Sequence, residues 1–226
     1  MNLEAKLEEV HTEYLRRMTQ GNGQLLHDVE HHVTSRRGKM LRPLMTLMAA
    51  ATLGEDYLNS RRTLLLAVCV EMLHNASLLH DDVIDRAETR RGNPSVNAQW
   101  NNATAVLVGD YHFASIMDLL DEVDDREATR RVNKTVKAMV EAELLAQEVD
   151  SWQLPTYLRI IDGKTAQLFA IAAAFGNPAY EEFGLHYGRL FQLRDDLADG
   201  EAPPWTTQLI AKEEDTIKQM DRILNI

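Results

Sequence analysis

Apolar residues recur at helical spacing along almost the whole of this 226-residue chain, and signals for strands are scarce. There are only 11 glycines and 6 prolines, and no Asn-Gly or Asp-Gly pair separates two alternating apolar runs, as a hairpin would require. Segments 64–79 and 168–175 are too apolar for a surface helix, so they should lie inside a bundle. The predicted helices span 2–20, 24–34, 40–53, 60–84, 95–107, 108–121, 126–150, 155–175, 179–200 and 205–225. We therefore predict an all-α, single-domain bundle of about ten helices over residues 1–226.

Composition narrows the classes of function. The formal net charge is −11, which repels nucleic acid and requires any anion site to gather its cations locally. The single cysteine, Cys69, excludes an internal disulfide framework and a zinc site built from cysteines. No segment approaches the roughly 20 uncharged apolar residues of a membrane span, and the first residues do not resemble a signal peptide. We expect a cytoplasmic protein that neither spans a membrane nor binds nucleic acid.

Two acidic clusters of the same form each end an apolar helical stretch. The first acidic cluster is Asp81, Asp82 and Asp85, and the second is Asp195, Asp196 and Asp199. Positions i, i+1 and i+4 lie close together on a helix, so each cluster should project its carboxylates from nearly one face. Such oxygens suit a hard ion such as Mg²⁺, which completes its coordination with water and phosphate. Two facing clusters would hold several Mg²⁺ ions and a diphosphate. The alternative is an ordinary charged helix end paired to nearby arginines.

Basic residues lie close to these clusters in sequence. Lys39 and Arg42 follow Gly38 at a helix entrance and are three residues apart, so both can reach one phosphate. A solvated basic helix start explains them equally well. His74 lies about 10 Å before Asp81 on the same helix.

Two further segments bear on phosphate binding. Gly163-Lys164-Thr165 is not a P-loop, because the upstream glycine is replaced by Leu158, and Lys164 alone is a snorkelling lysine at a helix edge. Gln192 falls three or four residues before the second acidic cluster, on the same face.

In this order, the blocks resemble those of the trans-isoprenyl diphosphate synthases (polyprenyl synthetases), over roughly residues 36 to 200. The matching motifs are Gly38-Lys39…Arg42-Pro43, Glu71…His74, Asp81-Asp82…Asp85…Arg90-Arg91-Gly92, Gly109-Asp110, Lys164-Thr165 and Gln192…Asp195-Asp196…Asp199. The resemblance implies an isoprenoid synthase-like bundle around a deep apolar cavity.

The resemblance also assigns roles to residues. It places isopentenyl diphosphate on Lys39, Arg42, His74 and Arg91. It places the allylic diphosphate on Arg90 and Lys164, supported by Thr165 and Gln192. Asp81, Asp85 and Asp195 would bind two to three Mg²⁺ ions, with Asp82, Asp196 and Asp199 as further ligands or as neighbours that orient them. The residues closest to the chemistry would be Asp81, Asp82, Asp85, Arg90, Lys164 and Asp195.

The implied reaction is the condensation of isopentenyl diphosphate with an allylic diphosphate. Metal ions and fixed cations stabilise the departing diphosphate, and a dry pocket protects the carbocation. Ala76 and Ser77, five and four residues before Asp81, would form the upper floor of the pocket. Both are small, so we predict a product of geranylgeranyl length or longer.

The family's usual members are longer, and the lysine-containing loop after Asp199 is absent here. We expect a shortened but active homodimeric member, with segment 95–121 at the interface. Three alternatives are a catalytically weak partner subunit of a heteromeric synthase, a terpene cyclase and a helical interaction protein with an acidic surface. Retention of both acidic clusters disfavours the first, the Lys39–Arg42–His74 set disfavours the second, and the ordered basic blocks disfavour the third.

Overall fold

The computed structural model describes residues 2–200 and 202–224, and these are helical nearly throughout. The α-helices are α1 (Leu3–Met18), α2 (Gln24–Thr34), α3 (Leu41–Ala51), α4 (Glu55–Leu58), α5 (Arg61–Ile84), α6 (Val96–Gln99), α7 (Asn102–Val123), α8 (Arg126–Glu148), α9 (Leu154–Ile161), α10 (Gln167–Gly176), α11 (Glu181–Asp199) and α12 (Thr206–Leu224). A π-helical turn (Asp162–Ala166) joins α9 to α10, and a 3-10 turn (Pro178–Tyr180) precedes α11. The all-α prediction is confirmed.

Helix α5 is the centre of the bundle. It begins at Ser60, whose hydroxyl accepts a hydrogen bond from the Thr63 amide at 3.1 Å and so caps the helix. Every residue from Leu65 to Leu73 is buried, because α1, α3, α7 and α10 surround this stretch. By length and composition α5 could cross a membrane, but 72% of its apolar window is buried inside the protein, as expected of a core helix.

Helix boundaries differ from the predictions in three places. The predicted helices 95–107 and 108–121 are instead the short α6 and the long α7, because Asn101 caps α7 by accepting a hydrogen bond from the Thr104 amide at 2.9 Å. The predicted helix 155–175 contains the π-helical turn. The short helix α4 lies in a segment for which no helix was predicted.

A two-residue hairpin follows the first acidic cluster. Strands β1 (Thr89–Arg90) and β2 (Asn93–Pro94) are antiparallel, and the turn between them has positive φ at Arg91 (53°) and Gly92 (77°). Two successive residues with positive φ are typical of a type I′ turn. The hairpin was not foreseen because its strands are too short to show any alternation, and it fixes the direction of both arginines.

The last described helix, α12, packs along α11. His186 of α11 is paired with the buried Glu213 of α12, and Arg194 is paired with Glu214 at 2.7 Å. The same end of the bundle is tied to the π-helical turn, because the Arg189 guanidinium donates to Asp162 at 2.7 Å. These ion pairs hold α12 beside the helix that carries the second acidic cluster.

Candidate active site

Helix α5 contributes to the lining of three cavities, which α8, α11 or both help to complete. We call them the basic cavity (about 400 Å³), the mouth cavity (about 1050 Å³) and the apolar cavity (about 370 Å³). The mouth and apolar cavities share Glu143 and Lys164 in their lining. Neighbouring residues of α11 line the basic cavity (Asp195) and the mouth cavity (Asp196). The site is therefore a set of connected compartments with different chemistry.

The basic cavity brings together the residues predicted to bind isopentenyl diphosphate. It is lined by Arg36, Arg37, Gly38, Lys39, Met40, Leu41, Arg42, Glu71, His74, Arg91, Phe191 and Asp195. A Cβ at Gly38 would lie 2.9 Å from the Arg91 Cζ, so a larger residue would displace the Arg91 guanidinium. The lack of a side chain at Gly38 leaves room for this guanidinium in the lining of the cavity.

Arg42 is the cation of this cavity most in need of an acceptor. Its guanidinium lies 4.5 Å from the centre of the Phe169 ring, and its buried Nε finds no hydrogen-bond partner among residues 2–200 and 202–224. Burial lowers the Arg42 pKa to about 10, a shift that Glu71 opposes and Arg91 reinforces. A buried donor without an acceptor is costly, so a bound anion would stabilise this arrangement.

Two other groups of the basic cavity, His74 and Glu71, are shifted toward their neutral forms. Burial, with the charges of Arg42, Arg91 and Arg90, holds the His74 pKa well below its usual value, so the imidazole is neutral at pH 7. Burial likewise raises the Glu71 pKa, against the effect of Arg91 and Arg42. The positive charge of the cavity therefore resides on its arginines and Lys39.

The mouth cavity holds three of the four residues predicted for the allylic diphosphate, Lys164, Thr165 and Gln192; the fourth, Arg90, lies outside its lining and is paired with Asp82. The π-helical turn presents Lys164 and Thr165, and Gln192 faces them from α11. Gly163 lets this turn approach α8, since a Cβ there would lie 2.7 Å from the Ala138 carbonyl oxygen. The close approach brings Lys164 Nζ to 2.5 Å from a Glu143 oxygen.

Carboxylates of both acidic clusters border the three cavities. Burial raises the Asp81 pKa to about 6; Glu143 and Asp85 add to this shift, whereas Lys164 opposes it. Burial also raises the Asp195 pKa, and the charges of Asp199 and Asp196 act in the same direction. Burial is the largest cause in both cases, so the ionised carboxylates are poorly solvated, and a divalent cation with oxygen ligands would stabilise them. Mg²⁺ fits this donor set.

Within the described ranges 2–200 and 202–224, no group of three His, Cys, Asp or Glu residues is close enough to hold one metal ion. A cation would therefore be held by one or two carboxylates with water and substrate phosphate, the way Mg²⁺ is usually bound.

The apolar cavity extends from the first acidic cluster into the bundle. It is lined by Leu73, Ser77, His80, Asp81, Ile84, Asp110, Phe113, Val136, Met139, Val140, Glu143, Leu144, Gln147 and Lys164. Charged groups lie at its rim, and Leu73 and Phe113 lie deeper. Its shape suits an apolar chain whose polar end stays near Asp81 and Lys164.

The expectation that each acidic cluster shares one face is wrong, because successive helical residues are rotated by about 100°. Asp81 lines the apolar cavity and Asp85 the mouth cavity, but Asp82 is 3% exposed and accepts a hydrogen bond from Arg90 Nε at 2.9 Å. Asp82 and Arg90 thus anchor the hairpin behind the cluster. On α11, Asp195 and Asp196 likewise face different cavities, and Asp199 is exposed one turn beyond Asp195.

Of the two residues predicted to form the cavity floor, only Ser77 lines the apolar cavity. Ala76 is 0% exposed, lies outside that lining and is part of the helical core. The rotation of about 100° between neighbours again separates them.

Sequence reasoning missed Glu143, Tyr157 and Phe169. Glu143 sits within the apolar stripe of α8, between Val140 and Leu144, and an acid inside such a stripe is a usable signal. Tyr157 and Phe169 carry no comparable signal, because aromatic residues on apolar faces are usually core. Their roles come from contacts with Asp196 and Arg42.

Comparison with known proteins follows this geometry. The chain is 42% identical over 187 residues to the all-trans-nonaprenyl-diphosphate synthase (geranyl-diphosphate specific) of Rhodobacter capsulatus, covering 77% of this chain and 57% of that protein. It thus spans somewhat more than half the length of this relative.

Solved structures of other proteins have the same fold as this chain. A decaprenyl diphosphate synthase from Rhodobacter capsulatus superposes with a TM-score of 0.82 at 33% identity, over 87% of this chain and 64% of that one. A polyprenyl synthase from Caulobacter crescentus CB15, complexed with calcium and isoprenyl diphosphate, gives 0.78 at 35% identity, over 85% and 62%. The family model described as polyprenyl synthetase matches residues 23–216. The chain belongs to the polyprenyl synthetase family.

Proposed function

We propose that this chain is a prenyltransferase that condenses isopentenyl diphosphate with an allylic diphosphate. The product is a trans-polyprenyl diphosphate of geranylgeranyl length or longer. The observation that carries the proposal is the adjacency of the three cavities. One offers buried cationic donors, one offers a lysine among carboxylates, and one offers an apolar cavity whose lining includes that lysine.

In the proposed reaction, the basic cavity holds isopentenyl diphosphate. The unpartnered Arg42 Nε supplies one donor, and Lys39 and Arg91 supply further positive charge around the same space. His74 is neutral, so it contributes a hydrogen bond rather than charge. Asp195, the first residue of the second acidic cluster, borders this cavity. It limits how far the diphosphate can extend toward the rest of that cluster.

The mouth cavity holds the allylic diphosphate, with Lys164 as its fixed cation and the apolar cavity as the channel for its tail. Two to three Mg²⁺ ions, when bound, would neutralise the diphosphate and stabilise the charge that departs with it. Asp81 and Asp85 would hold them from α5, and Asp195, Asp196 and Asp199 from α11. Water is kept from the reacting carbon by the apolar side chains behind Asp81.

Incorporation of labelled isopentenyl diphosphate tests this proposal. Purified protein is incubated with Mg²⁺ and either farnesyl or geranylgeranyl diphosphate, and the dephosphorylated lipids are separated by chain length. Asp81→Ala and Asp195→Ala should each abolish incorporation. Asp118→Ala, which removes an exposed carboxylate of α7 far along the chain from both clusters, should not. Equal turnover in Asp81→Ala and wild type would refute the assignment.

We also propose that the protein works in the cytoplasm as a homodimer that pairs through α7. This helix leaves three apolar side chains exposed: Val106 (39%), Leu107 (67%) and Met117 (42%). Light scattering coupled to size exclusion should give the dimer mass for wild type and the monomer mass for Leu107→Asp. A wild-type monomer would contradict the proposal.

A further inference from the structure

One chain of hydrogen bonds ties three elements together in the lining of the mouth cavity. The Thr165 hydroxyl of the π-helical turn donates to Gln192 Oε1 at 2.6 Å. The Gln192 amide donates to Asp196 Oδ1 at 2.7 Å, and the Tyr157 phenol of α9 donates to Asp196 Oδ2. Both oxygens of Asp196 are therefore held by neutral donors. No role for Tyr157 follows from the sequence motifs.

The surroundings of Tyr157 restrict its phenol. The residue is 3% exposed, packs in one cluster with Ile161 and Leu193, and meets Trp152 edge-to-face at 5.6 Å between ring centres. It also lines the mouth cavity. The packing around the ring and the hydrogen bond to Asp196 hold the hydroxyl toward that carboxylate.

A carboxylate can accept more than one hydrogen bond on each oxygen, so both atoms of Asp196 keep lone pairs for other partners. Two donors from separate elements fix the plane of the group. The remaining lone pairs then have a set direction, and Asp196 lines the mouth cavity together with Asp85 and Lys164. A freely rotating carboxylate would have to be ordered each time a ligand binds, at a cost in side-chain entropy.

We propose that Tyr157 is a positioning residue that acts through Asp196. Its phenol, together with the Gln192 amide, presets the Asp196 carboxylate to receive the hydrated metal–diphosphate unit in the mouth cavity. The inference rests on the proposed function, because that unit is the ligand which the function requires. It assigns Asp196 a role distinct from that of Asp195, which faces the basic cavity.

Binding without turnover tests the inference. The probe is a prenyl-chain bisphosphonate, which cannot ionise, titrated calorimetrically at increasing Mg²⁺ concentration. Tyr157→Phe should raise the Mg²⁺ concentration for half-maximal binding by about ten-fold, since a hydrogen bond to a charged group is lost. Tyr180→Phe is the matched control, because this buried tyrosine precedes the opposite end of α11. It should leave the value unchanged.

A double-mutant comparison shows whether Tyr157 acts through Asp196. In an Asp196→Ala background, Tyr157→Phe should change the half-maximal Mg²⁺ concentration by less than about two-fold, since coupled residues are not additive. The same large effect in both backgrounds, or no effect in either, would overturn the inference. Thr165→Val removes the other end of the hydrogen-bond chain. It replaces Tyr157→Phe in the binding assay if Tyr157→Phe melts below the assay temperature.

The two proposals fail in different ways. Wild type that binds the bisphosphonate with Mg²⁺ but incorporates no isopentenyl units would contradict the proposed function alone. Wild type that elongates prenyl chains while Tyr157→Phe matches it in Mg²⁺ dependence would contradict the positioning role alone.

Discussion

The Asp81 carboxylate should cost the metal-free protein stability, and Asp81→Asn should recover it. Burial raises the Asp81 pKa from 3.8 to about 6. In the folded state the group therefore keeps its proton to higher pH than in the unfolded state. Between pH 3.8 and 6 the folded state binds more protons, so stability falls as the pH rises through that window.

The magnitude follows from the shift. Each pKa unit is worth about 1.4 kcal/mol, so a shift of about two units costs up to about 3 kcal/mol at pH 8 and about half of that at pH 5. For a domain of this size, 1 kcal/mol moves the melting temperature by roughly 2–4 °C. Relaxation around the charge reduces the effect, so we expect Asp81→Asn to melt several degrees above wild type at pH 8.

The assay is thermal unfolding in chelator, then in Mg²⁺, at pH 5 and pH 8. In chelator, the advantage of Asp81→Asn should be larger at pH 8 than at pH 5. Mg²⁺ with a bisphosphonate should stabilise wild type, by mass action, but not the variant, which has lost the ligand. Asp118→Asn, on an exposed carboxylate, should match wild type throughout.

One result would refute this reasoning. If Asp81→Asn melts below wild type at pH 8 in chelator, Lys164 more than compensates the buried charge, and the carboxylate stabilises the fold. The cost of burying the Asp81 charge would then be more than offset, and one support for the metal site would be lost.

Three further substitutions test the cavities. Ser77→Phe should shorten the products, as measured by chromatography of the lipids, because Ser77 lines the apolar cavity; an unchanged product length would exclude this position from the channel. Ala76→Phe should instead lower the melting temperature, because the residue is fully buried in the core. Overpacking there should reduce the free energy of unfolding by about 1–3 kcal/mol. A shorter product at unchanged stability would contradict that placement. Arg42→Lys should raise KM for isopentenyl diphosphate about ten-fold, with little change in KM for the allylic substrate. The reason is that lysine cannot keep both the contact with Phe169 and the buried Nε donor. An equal rise in KM for both substrates would argue against separate cavities.

The sequence predicted the helical bundle because apolar periodicity is a local signal that tertiary packing only reinforces. It predicted Lys39, Arg42, His74 and Arg91 as one group, and these four residues line one cavity. The prediction that these four residues meet in one site rested on the family resemblance, because residues 39 and 91 are far apart in the chain.

What the sequence could not give is the direction of neighbouring side chains. Spacing alone placed Asp81 and Asp82 together, whereas one helical step turns Asp82 toward Arg90 and away from the mouth. The same step separates Ala76 from Ser77. The π-helical turn could not be read either, because a one-residue insertion only shifts the phase of the apolar pattern, and α10 is buried from Leu168 to Gly176, which hides such a shift.

Helix α11 lies between the basic cavity and the mouth cavity, with Asp195 on one side and Asp196 on the other. A small roll of this helix about its axis would advance one carboxylate into its cavity while withdrawing the other. If each cavity binds its proposed substrate, we expect the kinetic constants for the two substrates to vary together in any variant that loosens the packing of α11.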